Sequence, residues 1–198
     1  MTEGEWRRST DPEAMLAFLL GRGSERKLRL FAVACSRRVW PGIDDLGRSA
    51  VEAAELYADG LLGAEELRAA RLACRGAGER ACWYAANSDA ARAAGNAARS
   101  ARHGAADPLA EGAAQADLLR EIFGNPFQTV ALSRSWLTPA VEELARAMYA
   151  QRDFSRMPEL AAALEQAGCT ASPVLAHCRA GPPHVRGCWV IDLLLGKA

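Results

Sequence analysis

The chain lacks the features that mark several common protein classes. It contains no run of about eighteen apolar residues, so no membrane-spanning helix is predicted. Its 24 lysines and arginines balance 24 aspartates and glutamates. The net charge therefore does not indicate a nucleic-acid partner or an anionic membrane. No segment sustains the period-2 alternation of a strand, and no glycine-rich nucleotide fingerprint is present.

Cysteine is also sparse for the length of the chain. Six cysteines in 198 residues are too few for a disulfide scaffold, so we expect thiols or metal ligands in a reducing compartment. The first residues, Met1 to Trp6, are acidic and polar rather than signal-like. A cytoplasmic location is therefore expected.

What the sequence does contain is a series of helix-start signals followed by alanine and leucine. Apolar residues after the second signal recur at helical spacing, from Leu28 through Phe31 and Ala32 to Cys35 and Val39. The predicted helix starts lie at Thr10, Ser24, Asp44, Asp107, Thr138 and Ser172, four of them close to a proline. The pattern predicts an all-α protein.

The segment 64–103 is rich in alanine and arginine. Alanine is the best helix former, so helix is predicted here, weakened by Gly76, Gly78 and Gly95. The segment is locally basic, but Trp83 and Tyr84 are its only aromatic residues. Because nucleic-acid grooves usually interleave more aromatics with their cations, we expect solvated arginines and no nucleic-acid partner.

The arginines in and around the second predicted helix have two interpretations. They form a solvated face, or they pair with the acidic residues that follow; a binding patch is the less favoured alternative. The residues concerned are Arg22, Arg26, Arg29, Arg37 and Arg38.

The length fits a single all-α domain over residues 1–198, a compact bundle with Ala-rich helices. A subdivision into a helical scaffold, 1–124, and a C-terminal helical subdomain, 125–198, is the alternative. The irregular connection 125–137 carries Phe127 and Trp136 and is expected to lie against the body. The apolar element 185–195 is expected to dock as the last helix of the core.

Several short motifs give the chain a family resemblance. They are Arg26-Lys27-Leu28-Arg29-Leu30-Phe31-Ala32, Tyr57-Ala58-Asp59-Gly60, Phe123-Gly124-Asn125-Pro126-Phe127, Trp136-Leu137-Thr138-Pro139 and His184-Val185-Arg186-Gly187-Cys188-Trp189. In these motifs, over nearly its full length, the chain resembles a large paralogous family of planctomycete proteins. The resemblance implies a bacterial, cytoplasmic protein and implies no activity.

The C-terminal segment holds the candidate site. Cys169, Cys178, His184 and Cys188 are spaced x8, x5 and x3, with His177 beside Cys178 as an alternative ligand. Cysteine and histidine are the preferred ligands of structural zinc, so these residues are a candidate zinc site. The competing interpretation is that they are buried structural thiols, since no tight C-x2-C pair is present.

Three function hypotheses follow from these patterns. The favoured one is a non-catalytic protein-interaction or regulatory module that needs no cofactor and binds a protein partner. The alternative is a zinc-stabilised binding domain that uses the C-terminal cluster. A thiol-dependent enzyme, with His184 as base for Cys178 or Cys188, is the third.

Overall fold

The computed structural model describes residues 1–74, 80–181 and 183–197, and within these ranges it contains α-helices and short 3-10 helices but no strand. The all-α prediction is confirmed. The chain divides into two compact units, Met1–Arg120 and Glu121–Ala198, and the boundary falls within one helix. The N-terminal unit contains α1 Glu3–Arg8, α2 Pro12–Leu19, α3 Glu25–Arg38, α4 Asp45–Ala58, α5 Ala64–Ala73, α6 Arg80–Ala85, α7 Ala90–Gly104 and most of α8 Pro108–Phe123. The C-terminal unit contains α9 Pro139–Gln151, α10 Met157–Gln166, α11 Ser172–Arg179 and α12 Trp189–Leu195.

Helix starts follow the capping chemistry of the sequence. The side chains of Ser24, Asp44 and Thr138 each accept the backbone N–H three residues on, as predicted. The cap of α2 was predicted wrongly. It is Asp11 rather than Thr10, because the Asp11 carboxylate accepts two N–H groups of the first turn.

Two helical boundaries differ from expectation. The first residues form α1, which the sequence reading had left unassigned, because Thr2 and Glu5 make a reciprocal capping box. The Ala/Arg segment is three helices, α5, α6 and α7, rather than one. Gly95 lies inside α7, whereas Gly76 and Gly78 lie outside the described residues.

Alanine forms the contact surface of α7 in the N-terminal unit. The buried side of α7 is made of alanine alone, and α3 and α6 pack against α7. These residues are Ala90, Ala93, Ala94, Ala97, Ala98 and Ala101. Small side chains let helix backbones approach closely around α7, whereas bulky side chains such as Trp6, Phe31 and Leu30 are buried elsewhere in the same unit.

Ion pairs around α3 join the helices of the N-terminal unit. Arg26 pairs with Asp59, Arg37 with Glu55 and Arg38 with Glu111. The prediction that these arginines pair with acidic residues further along the chain is confirmed for Arg26, Arg37 and Arg38.

Arg29 differs from the expected solvated face, because it is 2% exposed. Its guanidinium donates to the carbonyls of Ala85, Asn87 and Ser88, which end α6 and precede α7. It thus supplies donors to backbone oxygens that the helix terminus leaves without intrahelical partners.

Bulky side chains fill the core of the C-terminal unit. Buried residues include Met148 from α9, Leu160 and Leu164 from α10, Val174 from α11 and Ile191 from α12. Helix α9 packs against α10 and α12, and α10 packs against α11. The last helix is therefore part of this unit's core.

The connection 125–137 is irregular, as predicted, apart from a 3-10 turn, Arg134–Trp136. Trp136 is 8% exposed, and Val130 and Leu132 pack against the core of the C-terminal unit, whereas Phe127 is 40% exposed. The closing helix also starts later than expected, at Trp189, because residues around Gly187 form a turn. None of the described helices combines the length and apolarity that a membrane span requires.

Candidate metal centre

Four side chains of the C-terminal unit bring metal-ligand atoms together. They are Glu121 from the end of α8, His177 from α11, His184 from the 180–188 connection and Cys188 at the N-cap of α12. One ligand atom from each residue lies within 4.8 Å of the other three. Glu121 and Cys188 are buried, and the two imidazoles are largely shielded from solvent, with side chains 16% and 7% exposed.

Local structure positions Glu121 next to the connection. Helix α8 ends at Gly124, whose φ of +66° is a left-handed conformation that glycine adopts without steric penalty. A Cβ atom at Gly124 would lie 3.0 Å from Cγ of Trp189. Glycine therefore allows the Trp189 indole to pack directly on the helix end, and the same indole lies 5.3 Å from the His177 ring.

Both oxygens of Glu121 have partners. Oε2 lies 3.2 Å from Nε2 of His177 and 3.2 Å from Nδ1 of His184. Oε1 accepts the backbone N–H of Val185 at 3.3 Å. A carboxylate buried to this degree requires such partners, and here two imidazoles and one amide supply them.

His184 is held at both ring nitrogens. Its Nδ1 faces Glu121, and its Nε2 lies 3.2 Å from the carbonyl oxygen of Ala180. An imidazole whose second nitrogen donates to a backbone carbonyl is fixed in orientation and tautomer. That arrangement is typical of histidines that ligate metals.

His177 places one nitrogen against a carboxylate and a thiol. Its Nε2 lies 3.2 Å from Glu121 Oε2 and 3.2 Å from Cys188 Sγ. A ring nitrogen carries either one hydrogen or one lone pair, so Nε2 can donate to Glu121 or accept from the Cys188 thiol but cannot do both at once. The convergence of lone-pair atoms on one point is what a bound cation would satisfy.

The electrostatics follow from burial and the two imidazoles. Burial by itself raises the pKa of Glu121, but hydrogen bonds from His177 and His184 outweigh it and lower the pKa to about 2. Burial by itself lowers the pKa of His184, and the hydrogen bond to Glu121 outweighs this, so its pKa is raised. Burial and the Glu121 charge raise the pKa of the Cys188 thiol well above its ordinary value.

The distances match those between the ligands of one small cation. Ligands at about 2.0–2.3 Å on a tetrahedron around zinc lie roughly 3.3–3.7 Å from one another. Three of the contacts among the four donor atoms are 3.2 Å, and none of the six exceeds 4.8 Å. The group could hold a metal ion after small shifts of its side chains.

The structure brings together part of the ligand set predicted from sequence. His184, Cys188 and the alternative ligand His177 belong to the group. Cys169 and Cys178 do not, and both are buried among apolar side chains of the same unit. Burial raises the pKa of Cys178 to about 12.

Sequence reasoning missed Glu121. The residue is far from the Cys/His segment along the chain, so spacing gives no indication of it. A weak signal did exist, because Glu121 follows Leu118 by three residues and thus shares the apolar face of α8. A carboxylate on a buried helical face needs a partner, and that partner is the His pair.

Comparison of the chain with protein-family models, with curated proteins and with solved structures gave no match in any of the three.

Proposed function

We propose that the C-terminal unit is a zinc-stabilised binding domain in which Glu121, His177, His184 and Cys188 hold the ion. The observation that carries the proposal is the convergence of one carboxylate, two imidazoles and one thiol within 4.8 Å in a largely buried position. Zinc accepts all three ligand types and favours four of them in a tetrahedron.

The donor set favours zinc over the other common metals. Calcium and magnesium prefer oxygen ligands throughout, whereas this group offers only one carboxylate. Thiolate and imidazole together suit zinc among the divalent ions that cells supply. Zinc would displace the Cys188 proton, because only the thiolate is a ligand.

Hydrogen bonds between the proposed ligands and neighbouring backbone groups support the same ligand assignment. Ala180 accepts from the second nitrogen of His184, and Val185 holds the second oxygen of Glu121. These contacts orient the ligand atoms before a metal arrives, which lowers the entropy loss on binding.

A structural role is favoured over a catalytic one. Four protein ligands fill a tetrahedral zinc shell, whereas catalytic zinc keeps one position for water or substrate. The thiol-enzyme hypothesis finds no support at this site, since burial raises the pKa of both Cys178 and Cys188 and reactive thiols need it lowered. The ion would fix the connection 180–188 between α11 and α12.

The partner we propose for this domain is a protein. The equal numbers of acidic and basic residues give the chain no general attraction to polyanions. Salt-sensitive binding of single-stranded or duplex nucleic acid at low ionic strength would contradict this part of the proposal.

Zinc content tests the metal site directly. Elemental analysis of the protein as purified is expected to give one zinc per chain. Cys188→Ser and Glu121→Gln are expected to weaken zinc at least about 100-fold, because even outer contacts of a zinc ligand contribute 10- to 100-fold. Competition with a chromophoric chelator measures the affinity.

Two matched variants distinguish the ligand sets. Cys169→Ser and Cys178→Ser remove buried thiols of the same unit that lie outside the group, so both are expected to retain stoichiometric zinc. Loss of zinc in these variants would favour the ligands predicted from sequence. Wild-type protein that neither contains zinc nor takes it up in titration would overturn the proposal.

A further inference from the structure

The C-terminal unit also contains a cavity of about 430 Å³, a size that accommodates a small organic molecule. Three elements form it: the residues that follow α9, the start of α10 and the end of α11. His184 also lines the cavity.

The charged side chains among the described lining residues are two arginines and no acid. Arg152 ends α9 and Arg179 ends α11, and both residues are exposed. Guanidinium groups offer paired N–H donors that match the geometry of carboxylate and phosphate oxygens. Ser155 adds a hydroxyl to the same lining.

Arg152 occupies an unfavourable backbone conformation. Its φ of +54° is the only positive value of a non-glycine residue in the described ranges. Helices that end in this conformation usually do so with glycine, as at Gly124 and Gly196 in this chain. An uncommon backbone conformation of this kind supports a functional hypothesis for the residue that adopts it.

Another part of the cavity wall is apolar. Phe154, Met157 and Pro158 line it, and Met157 is part of the core of this unit. We propose that this cavity binds a small organic oxyanion, with Arg152 and Arg179 at the carboxylate or phosphate group and Phe154 against its apolar body.

Glu165 competes with a ligand for the guanidinium of Arg179. Arg179 forms an ion pair with Glu165, and both side chains are about half exposed. An exposed pair of this kind is weak, so a ligand oxyanion competes with it at little cost. Removal of the Glu165 charge should therefore strengthen binding.

The test uses phenyl phosphate, benzoate and uncharged benzyl alcohol, titrated into the full-length protein as purified at low ionic strength. Heat of binding and amide chemical shifts near Phe154 report occupancy. Binding of phenyl phosphate or benzoate but not of benzyl alcohol is expected, and the better of the two identifies the preferred head group. Absence of binding by both anions, or equal binding of benzyl alcohol, would overturn the proposal.

Variants separate a ligand role from a structural one. Arg179→Gln and Arg152→Gly are each expected to weaken the better anion roughly tenfold, the effect of one charge-assisted contact. Arg152→Gly should also raise the Tm, because glycine relieves the strained φ. Glu165→Gln should tighten binding about threefold.

Arg146→Gln is the matched control. It removes a positive charge from an exposed residue of α9 that does not line the cavity, and its affinity should equal that of the wild type. If Arg146→Gln weakens binding as much as Arg179→Gln, or if Arg152→Gly keeps full affinity, the contact is general electrostatic attraction and the proposal fails.

Discussion

The two units of this chain solve the same packing problem with different residues. The N-terminal unit buries alanine on α7 and joins its helices with arginine ion pairs. The C-terminal unit buries Leu, Met, Val and Ile and brings one carboxylate, two imidazoles and one thiol into a single cluster. Alanine lets helices approach closely but buries little apolar area, so bulky side chains such as Trp6, Phe31 and Leu30 supply that area elsewhere in the N-terminal unit.

The largest expected effect comes from core substitutions. Removing side-chain volume should destabilise the C-terminal unit, and adding volume should destabilise the N-terminal unit. Leu164→Ala in the C-terminal unit removes a fully buried side chain and is expected to cost about 2–5 kcal/mol of unfolding free energy. Ala97→Leu in the N-terminal unit adds volume to a fully buried position and is expected to cost about 1–3 kcal/mol. Amide hydrogen exchange measures the loss in each unit separately.

Exposed positions provide the controls for that pair. Leu109→Ala and Ala91→Leu make the same changes on the surface, where Leu109 is 86% exposed and Ala91 is exposed. Both should shift the unfolding free energy by no more than about 0.5 kcal/mol. If Ala97→Leu were as mild as Ala91→Leu, the close approach of helices around α7 would be disproved.

The pH dependence of the C-terminal unit should show its polar cluster in the metal-free protein. The pKa of Glu121 is lowered from 4.5 to about 2 on folding, so its contribution is complete above pH 4.5 and is lost as pH falls towards 2. At about 1.4 kcal/mol per pH unit, that contribution is about 3 kcal/mol. The pKa of His184 is raised, so its contribution is complete below its ordinary value of 6.5 and is lost as pH rises through the raised value.

These two contributions describe one interaction, so the metal-free unit should be most stable between about pH 4.5 and 6.5. Urea denaturation from pH 2.5 to 9 measures the profile, and Glu121→Gln should flatten it. Glu142→Gln, which removes the acid of a surface pair with Arg146, should leave the profile unchanged. Identical profiles for wild type and Glu121→Gln would show that the cluster makes no such contribution.

Replacing one glycine by alanine in each unit should give the smallest change in unfolding free energy, with opposite signs in the two units. Gly95→Ala in α7 is expected to stabilise by about 0.5–1 kcal/mol, because no atom lies within 4 Å of the new Cβ and glycine is a poor helix former. Gly124→Ala is expected to destabilise by about 1 kcal/mol or more, because its φ is +66° and the new Cβ would meet Trp189 at 3.0 Å. Thermal denaturation of both variants checks the signs, and a stabilising Gly124→Ala would mean that Trp189 does not pack there.

The sequence by itself determined the helices, since capping and helical periodicity are local. Ser24, Asp44, Asp107 and Thr138 begin helices as their chemistry predicts. Where local signals competed, the prediction failed. Asp11 displaced Thr10 as the cap of α2 because its carboxylate reaches two N–H groups.

Tertiary structure alone decided which residues meet. Cysteine and histidine spacing identified His184 and Cys188 but also pointed to Cys169 and Cys178, which lie outside the group. Glu121 joins the group because α8 ends at Gly124 beside Trp189, a contact between positions distant in the chain. Helix propensity is a property of neighbouring residues, whereas a metal site depends on distances between atoms that only the packed helices bring together.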